Sequence, residues 1–221
     1  MDELSLSNRP CIIWDFDGTI ADTEGYIVAA ATQVLAEHGF TLEQMGDVSR
    51  LVGPSYPGAF DSVYGVGKDA DLEMTNRYWE LYDWKNPEGH RMYDGLRNLM
   101  EQLSASGRRM AIASSKTKMR LDYCISDLRI EKLFSAVFSK GDVPSGSKPE
   151  LIALAMDALG ATPEECVMIG DRCYDITGAA QVGIPSIGAS YGTHKDDELR
   201  EANATAIAPS VSELKRLLLG N

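Results

Sequence analysis

The chain has 221 residues, 44% of them hydrophobic, and a formal net charge of −12. That apolar content suffices for a sizeable core, and the length suits one domain or one domain carrying an insert, which excludes disorder as the overall state. The acidic balance argues against a nucleic-acid or anionic-membrane partner, and no stretch is long and apolar enough to cross a bilayer. The opening Met1-Asp2-Glu3-Leu4-Ser5 lacks the basic and apolar segments of a signal peptide. A cytoplasmic location is therefore expected, with Cys11, Cys124, Cys166 and Cys173 as reduced thiols. Cys173 lies beside an acidic motif but has no histidine near it in sequence, so a structural role is expected of it.

Cys11-Ile12-Ile13-Trp14 has the length and composition of a strand buried on both faces. Helical patterns follow over Gly25 to His38, Leu42 to Leu51, Pro57 to Tyr64 and Asp69 to Tyr82, with no convincing strand among them. Asp22 and Thr23 read as helix-capping residues. From Tyr93 onward the chain alternates. Short apolar runs at Met110 to Ala113, Ala136 to Phe138, Val167 to Gly170, Pro185 to Gly188 and Ala206 to Ala208 read as strands. Helices are expected over Gly95 to Ser106, Leu121 to Leu128, Pro149 to Leu159, Tyr174 to Val182, Asp197 to Ala202 and Val211 to Leu219. This alternation implies an α/β fold, a Rossmann-like parallel sheet with helices on both faces. Residues 1–22 and 89–221 would form that core domain, and residues 23–88 a small helical domain inserted after the first strand.

In an open parallel sheet, ligands bind at the carboxyl ends of the strands. Three polar segments fall at such ends: Asp15-Phe16-Asp17-Gly18-Thr19, Ser114-Ser115-Lys116, and Gly170-Asp171-Arg172-Cys173-Tyr174-Asp175. A fourth, Gly146-Ser147-Lys148-Pro149, opens a helix. Two carboxylates at the exit of a buried strand are costly unless a site uses them. A calcium loop is the bland alternative for Asp15-Phe16-Asp17-Gly18, but the segment follows a strand and the spacing to Glu24 is wrong.

The four segments in this order resemble the haloacid dehalogenase-like hydrolase superfamily, and within it the phosphoglycolate phosphatase-like branch with a small helical cap. Val167 to Arg172, and Ser186-Ile187-Gly188 followed by Tyr191-Gly192, have family-like counterparts. The resemblance implies Mg²⁺-dependent hydrolysis of a small phosphorylated metabolite through an aspartyl-phosphate. Phosphoglycolate-, sugar phosphate- and nucleotide-type esters are the candidate substrates. Asp15 would be the nucleophile, and Asp17 the group that protonates the leaving oxygen and later activates water. Asp15, Asp171 and the carbonyl of Asp17 would hold the metal. Ser114 and the backbone around Phe16, Asp17 and Ser115 would bind the phosphoryl oxygens, with Lys148 offsetting the negative charge. Thr19 and Asp175 would support this arrangement, with capping of its helix as the lesser alternative for Asp175. Arg172 is expected either to contact substrate or to bridge a carboxylate, and Lys116 to lie at the surface.

Rival chemistries use the same scaffold. Asp17 argues against dehalogenases and phosphonatases, which have no use for an acid at that position. Phosphomutases of the beta-phosphoglucomutase kind carry a cap histidine and arginine where this chain has Ile27 and Val52-Gly53-Pro54-Ser55-Tyr56. A pyrophosphatase, or a catalytically idle regulatory binding protein, stays open. Ser55, Tyr56 and Tyr64, and less so Arg50 and His90, are cap residues that could face a substrate, although aromatics in a small cap more often form its core.

Overall fold

The computed structural model describes residues 6–193 and 196–220. They divide into two compact units, one of Met1–Asp22 with Met92–Asn221 and one of Thr23–Arg91.

The larger unit is built on a six-stranded sheet. In chain order its strands are β1 Cys11–Trp14, β2 Arg109–Ala113, β3 Ala136–Phe138, β4 Cys166–Gly170, β5 Ser186–Ala189 and β6 Ala206–Ala208. Their spatial order is β3-β2-β1-β4-β5-β6, all neighbours parallel, with Ile13 opposite Ala111 on one side and Met168 on the other. The order reverses at β1, whose two neighbours run off in opposite directions, and this is where such sheets open a crevice.

Every residue of β1 is fully buried, because helices cover both faces. Side chains alternate across a strand, so Ile12 and Trp14 join one core layer and Cys11 and Ile13 the other. The first layer is closed by α5 Leu96–Ala105, α6 Lys118–Asp127 and α11 Val211–Leu219. On α5 the buried positions are Leu96, Leu99, Met100 and Leu103, a single helical stripe. The second layer is closed by α7 Lys148–Leu159 and α8 Cys173–Gln181. Two short helices, α9 Ser190–Thr193 and α10 Asp196–Glu201, follow β5. The sequence pattern does not reveal α9, a single turn with no apolar stripe of its own.

The smaller unit contains α1 Glu24–Glu37, α2 Leu42–Met45, α3 Ala59–Tyr64 and α4 Lys68–Leu81. The expected helix from Leu42 to Leu51 is broken. Gly46 takes φ +53° and the Asp47 carboxylate accepts the Ser49 N–H, leaving only a 3₁₀ turn at Val48–Leu51. Thr23 does stand at the N-cap of α1, but its side chain caps nothing, and Asp22 is exposed. The unit's core gathers Ala31, Val34, Leu35, Leu51, Phe60, Met74 and Tyr78. Tyr56 stacks on Tyr78 at 4.5 Å and donates its hydroxyl to the Leu51 carbonyl, while Tyr64 donates to the Met45 carbonyl. Both aromatic candidates for substrate contact are thus committed to their own unit's packing. Among the described residues no helix is long and apolar enough to cross a membrane.

Candidate active site

Where β1 ends, Asp15 continues the ladder by donating its N–H to Ile169, and the chain then curls tightly. The Phe16 carbonyl accepts from Thr19, Ile20 and Ala21, and the Phe16 ring is sealed in the core. Any part Phe16 plays in binding must therefore fall to its backbone. Gly18 makes the curl possible: its φ is +75°, and a Cβ there would lie 2.3 Å from Asp171 Oδ2.

Lys148 reaches this loop from the first turn of α7. Its ammonium donates to Asp15 Oδ1 at 2.9 Å and to the Ala113 carbonyl at 3.1 Å, and lies 2.8 Å from Asp175 Oδ1 as an ion pair. Gly178 on α8 lets the lysine stem pass, since a Cβ there would come within 3.0 Å of Lys148 Cγ. Burial alone would lower the lysine's pKa, but Asp15 and Asp175 outweigh it and hold the ammonium above the usual range.

Asp171 and Asp175 flank the start of α8. Asp171 is fully buried; its Oδ1 accepts from the Thr19 hydroxyl at 3.1 Å and its Oδ2 has no hydrogen-bond partner among the described residues. Asp175 caps its helix, Oδ2 accepting the Arg172 N–H, while Oδ1 faces Lys148. Arg172 bridges a carboxylate, its Nε lying 2.8 Å from Glu198 Oε1, which also accepts the Cys173 N–H. Burial pushes the Cys173 thiol up to about 11, so it is no thiolate nucleophile at neutral pH.

Asp15, Asp171 and Asp175 can each offer an oxygen within 4.8 Å of the others. Burial drives Asp15 up to about 7, with Lys148 opposing and the neighbouring carboxylates adding to the shift. Asp171 is raised well above the ordinary range by burial and then by Asp175 and Asp15. Three buried carboxylates, only two of them paired with the Lys148 ammonium and the third with Asp171 Oδ2 unpartnered among the described residues, suit a hard divalent cation bound through oxygen.

Ser114 is buried at the end of β2, its hydroxyl accepting the Lys116 N–H at 3.2 Å. Ser115 is half-buried beside it, and among the described residues no contact joins it to the carboxylates. The Asp17 side chain does not join the three-carboxylate cluster. It pairs instead with Lys116, at 2.8 Å, which corrects the surface expectation for that lysine: it is only 9% exposed. Sequence reasoning also missed Glu198, Tyr93 and a role for Tyr191. The Tyr191 hydroxyl donates to the Thr19 carbonyl at 2.7 Å, and its ring meets Tyr93 edge-on. Tyr191 lies 172 residues from Thr19, so no local spacing could have announced the contact.

A sheet that reverses order at β1, with acids at its strand exits and a buried lysine between them, defines a Rossmann-like α/β enzyme with a carboxylate–lysine centre. Residues 12–189 match the family described as haloacid dehalogenase-like hydrolase, and the chain belongs to it. It is 30% identical to a 5'-nucleotidase of Pseudomonas aeruginosa, over 95% of each chain. It is also 28% identical to the tyrosine-protein kinase PtkA of Mycobacterium tuberculosis, over 94% of this chain and 72% of that one. A phosphoglycolate phosphatase of Agrobacterium fabrum is 26% identical over 83% of this chain and 81% of its own. Among solved structures, a predicted phosphatase from Clostridium acetobutylicum superposes with a TM-score of 0.86 at 27% identity, covering 96% of this chain and 99% of that one.

Proposed function

We propose that this hydrolase is a Mg²⁺-dependent phosphatase that cleaves a small phosphomonoester through a phosphorylated Asp15. The observation that carries the reading is the buried Asp15–Lys148–Asp175 chain beside Asp171, a centre built to receive an anion next to a cation. Asp15 and Asp171, with the Asp17 carbonyl, would hold Mg²⁺, and Asp175 would back them. The metal, when bound, offsets charge between the carboxylate and the incoming phosphoryl group.

In the first step an Asp15 oxygen attacks phosphorus. The bond to the leaving oxygen breaks, and Asp17 in its acid form delivers the proton that oxygen needs. In the second step Asp17, now a carboxylate, takes a proton from water as that water attacks the same phosphorus. The Asp15–phosphorus bond breaks and inorganic phosphate departs. Lys148 keeps the Asp15 oxygen oriented throughout, and Ser114 with the neighbouring backbone holds the phosphoryl oxygens. Thr19 fixes Asp171 by its hydroxyl.

The relatives' names span nucleotide, glycolate and protein chemistry. What they support in common is a phosphoryl group, with a small ester the best-supported substrate class. The inserted helical unit, residues 23–88, is proposed as the cap that selects the leaving group. The acidic composition supports a role without nucleic-acid or membrane partners, in the cytoplasm. A panel of phosphomonoesters, with pyrophosphate included, tests the reading when each is assayed with Mg²⁺ against Asp15→Asn. Turnover that Asp15→Asn retains in full would sink it.

A further inference from the structure

Lys116 is a second buried cation at a site that already holds one. Its backbone is pinned on both sides: its N–H donates to the Ser114 hydroxyl and its carbonyl accepts from Lys140. Its side chain is 6% exposed and runs past the Phe16 ring, with Nζ 5.8 Å from the ring centroid. The ammonium ends 2.8 Å from Asp17 Oδ1, and the Asp17 side chain is itself only 16% exposed. Withdrawing an ammonium from water is expensive unless a partner compensates it. Asp17 sits beside Gly18 on a tight loop, and its carboxylate, unlike those of Asp15 and Asp171, lies outside the three-carboxylate cluster even though its carbonyl would face the metal. A proton donor acts only within hydrogen-bond reach of the atom it serves, so a freely rotating carboxyl would spend much of its time misplaced.

We propose that Lys116 is a positioning residue that holds the Asp17 carboxyl in the orientation from which it protonates the leaving-group oxygen. This rests on the reading of Asp17 as proton donor. Lys148 aligns the nucleophile, and Lys116 aligns the acid. The two cations arrive from different loops, one after β2 and one at the start of α7.

The test compares p-nitrophenyl phosphate with phenyl phosphate, esters of nearly the same shape. Nitrophenolate departs without help, whereas phenolate, with a pKa of about 10 like the tyrosine side chain, needs the proton. Wild type, Asp17→Asn, Lys116→Met and Lys116→Arg are measured as kcat/KM at saturating Mg²⁺. Lys116→Met should lose about 10-fold or more on phenyl phosphate but less than about 3-fold on p-nitrophenyl phosphate, and Lys116→Arg should recover part of the loss. Equal losses on the two esters, or none on either, would overturn the proposal. Should Lys116→Met fail to fold by circular dichroism, Lys116→Gln is judged by the same two ratios. Asp17→Asn separates the two readings. If it shows no leaving-group dependence, the assignment of Asp17 itself falls. If it does and Lys116→Met does not, only the role of Lys116 falls.

Discussion

Lys148 stands buried between the buried carboxylates of Asp15 and Asp175, so its removal should cost both chemistry and stability. Lys148→Met is expected to lower kcat by about 10²-fold or more, since a charge aimed at the reacting group is lost. It should also destabilise the fold by about 3–5 kcal/mol, because two buried carboxylates lose their counter-ion. Phosphatase assays and urea denaturation of the same variant read the two effects. The pH dependence follows from Asp15 and Asp171, both raised, Asp15 to about 7. In the unfolded chain each ionises near pH 4, roughly the ordinary value. Between that pH and about 7 the metal-free folded protein therefore holds more protons than the unfolded chain. Its stability should fall as pH rises through this window. Calorimetry in EDTA from pH 5 to 8 checks the sign. With Mg²⁺ present the decline should shrink, because the cation stabilises the same carboxylates once they have lost their protons.

At the scale of elements, the site depends on close approaches that only glycine permits. At Gly170 a Cβ would fall 2.2 Å from Asp175 Cγ, and β4 is locked between two strands, so Asp175 would have to move. Gly170→Ala should cost about 1–3 kcal/mol and much of the activity, with secondary structure kept. Circular dichroism and a phosphatase assay together decide it. In the helical unit the corresponding strut is Asp71, a buried carboxylate on α4 that accepts the N–H groups of Gly58 and Asp61 at the start of α3. Asp71→Ala should destabilise by about 1–3 kcal/mol, because two backbone donors lose a charged acceptor. Loss of less than a few tenths in urea denaturation, about the noise of such measurements, would remove that strut from the account.

For the whole molecule, ligand binding should appear as added stability. Mg²⁺ at 100 times its dissociation constant should contribute about 2.7 kcal/mol, a rise in Tm of roughly 5–10 °C for a chain of this length. Asp171→Asn should blunt that rise, and differential scanning fluorimetry across a Mg²⁺ titration measures both.

Much of the fold was legible because buried parallel strands are written as uninterrupted apolar runs. Cys11 to Trp14 lies where the pattern places it, and the strand expected from Val167 to Gly170 begins one residue earlier, at Cys166. Four polar segments at the ends of such runs and at one helix start sufficed to suggest the chemistry, since each carries its residues locally. Lys116 was misread because a lysine after two serines looks solvated until its neighbours are known. Glu198, 26 residues beyond Arg172, and Tyr191, which buttresses Thr19, escaped for the same reason. Local sequence thus determined which backbone segments would be strands and which loops would bear charge, because hydrophobic period and turn chemistry act over a few residues. Only the tertiary structure decided how those charges pair: Asp17 with Lys116, Asp15 and Asp175 with Lys148, Arg172 with Glu198. Pairing is settled when the sheet brings distant loops within about 3 Å of one another in a medium too poor in water to screen them.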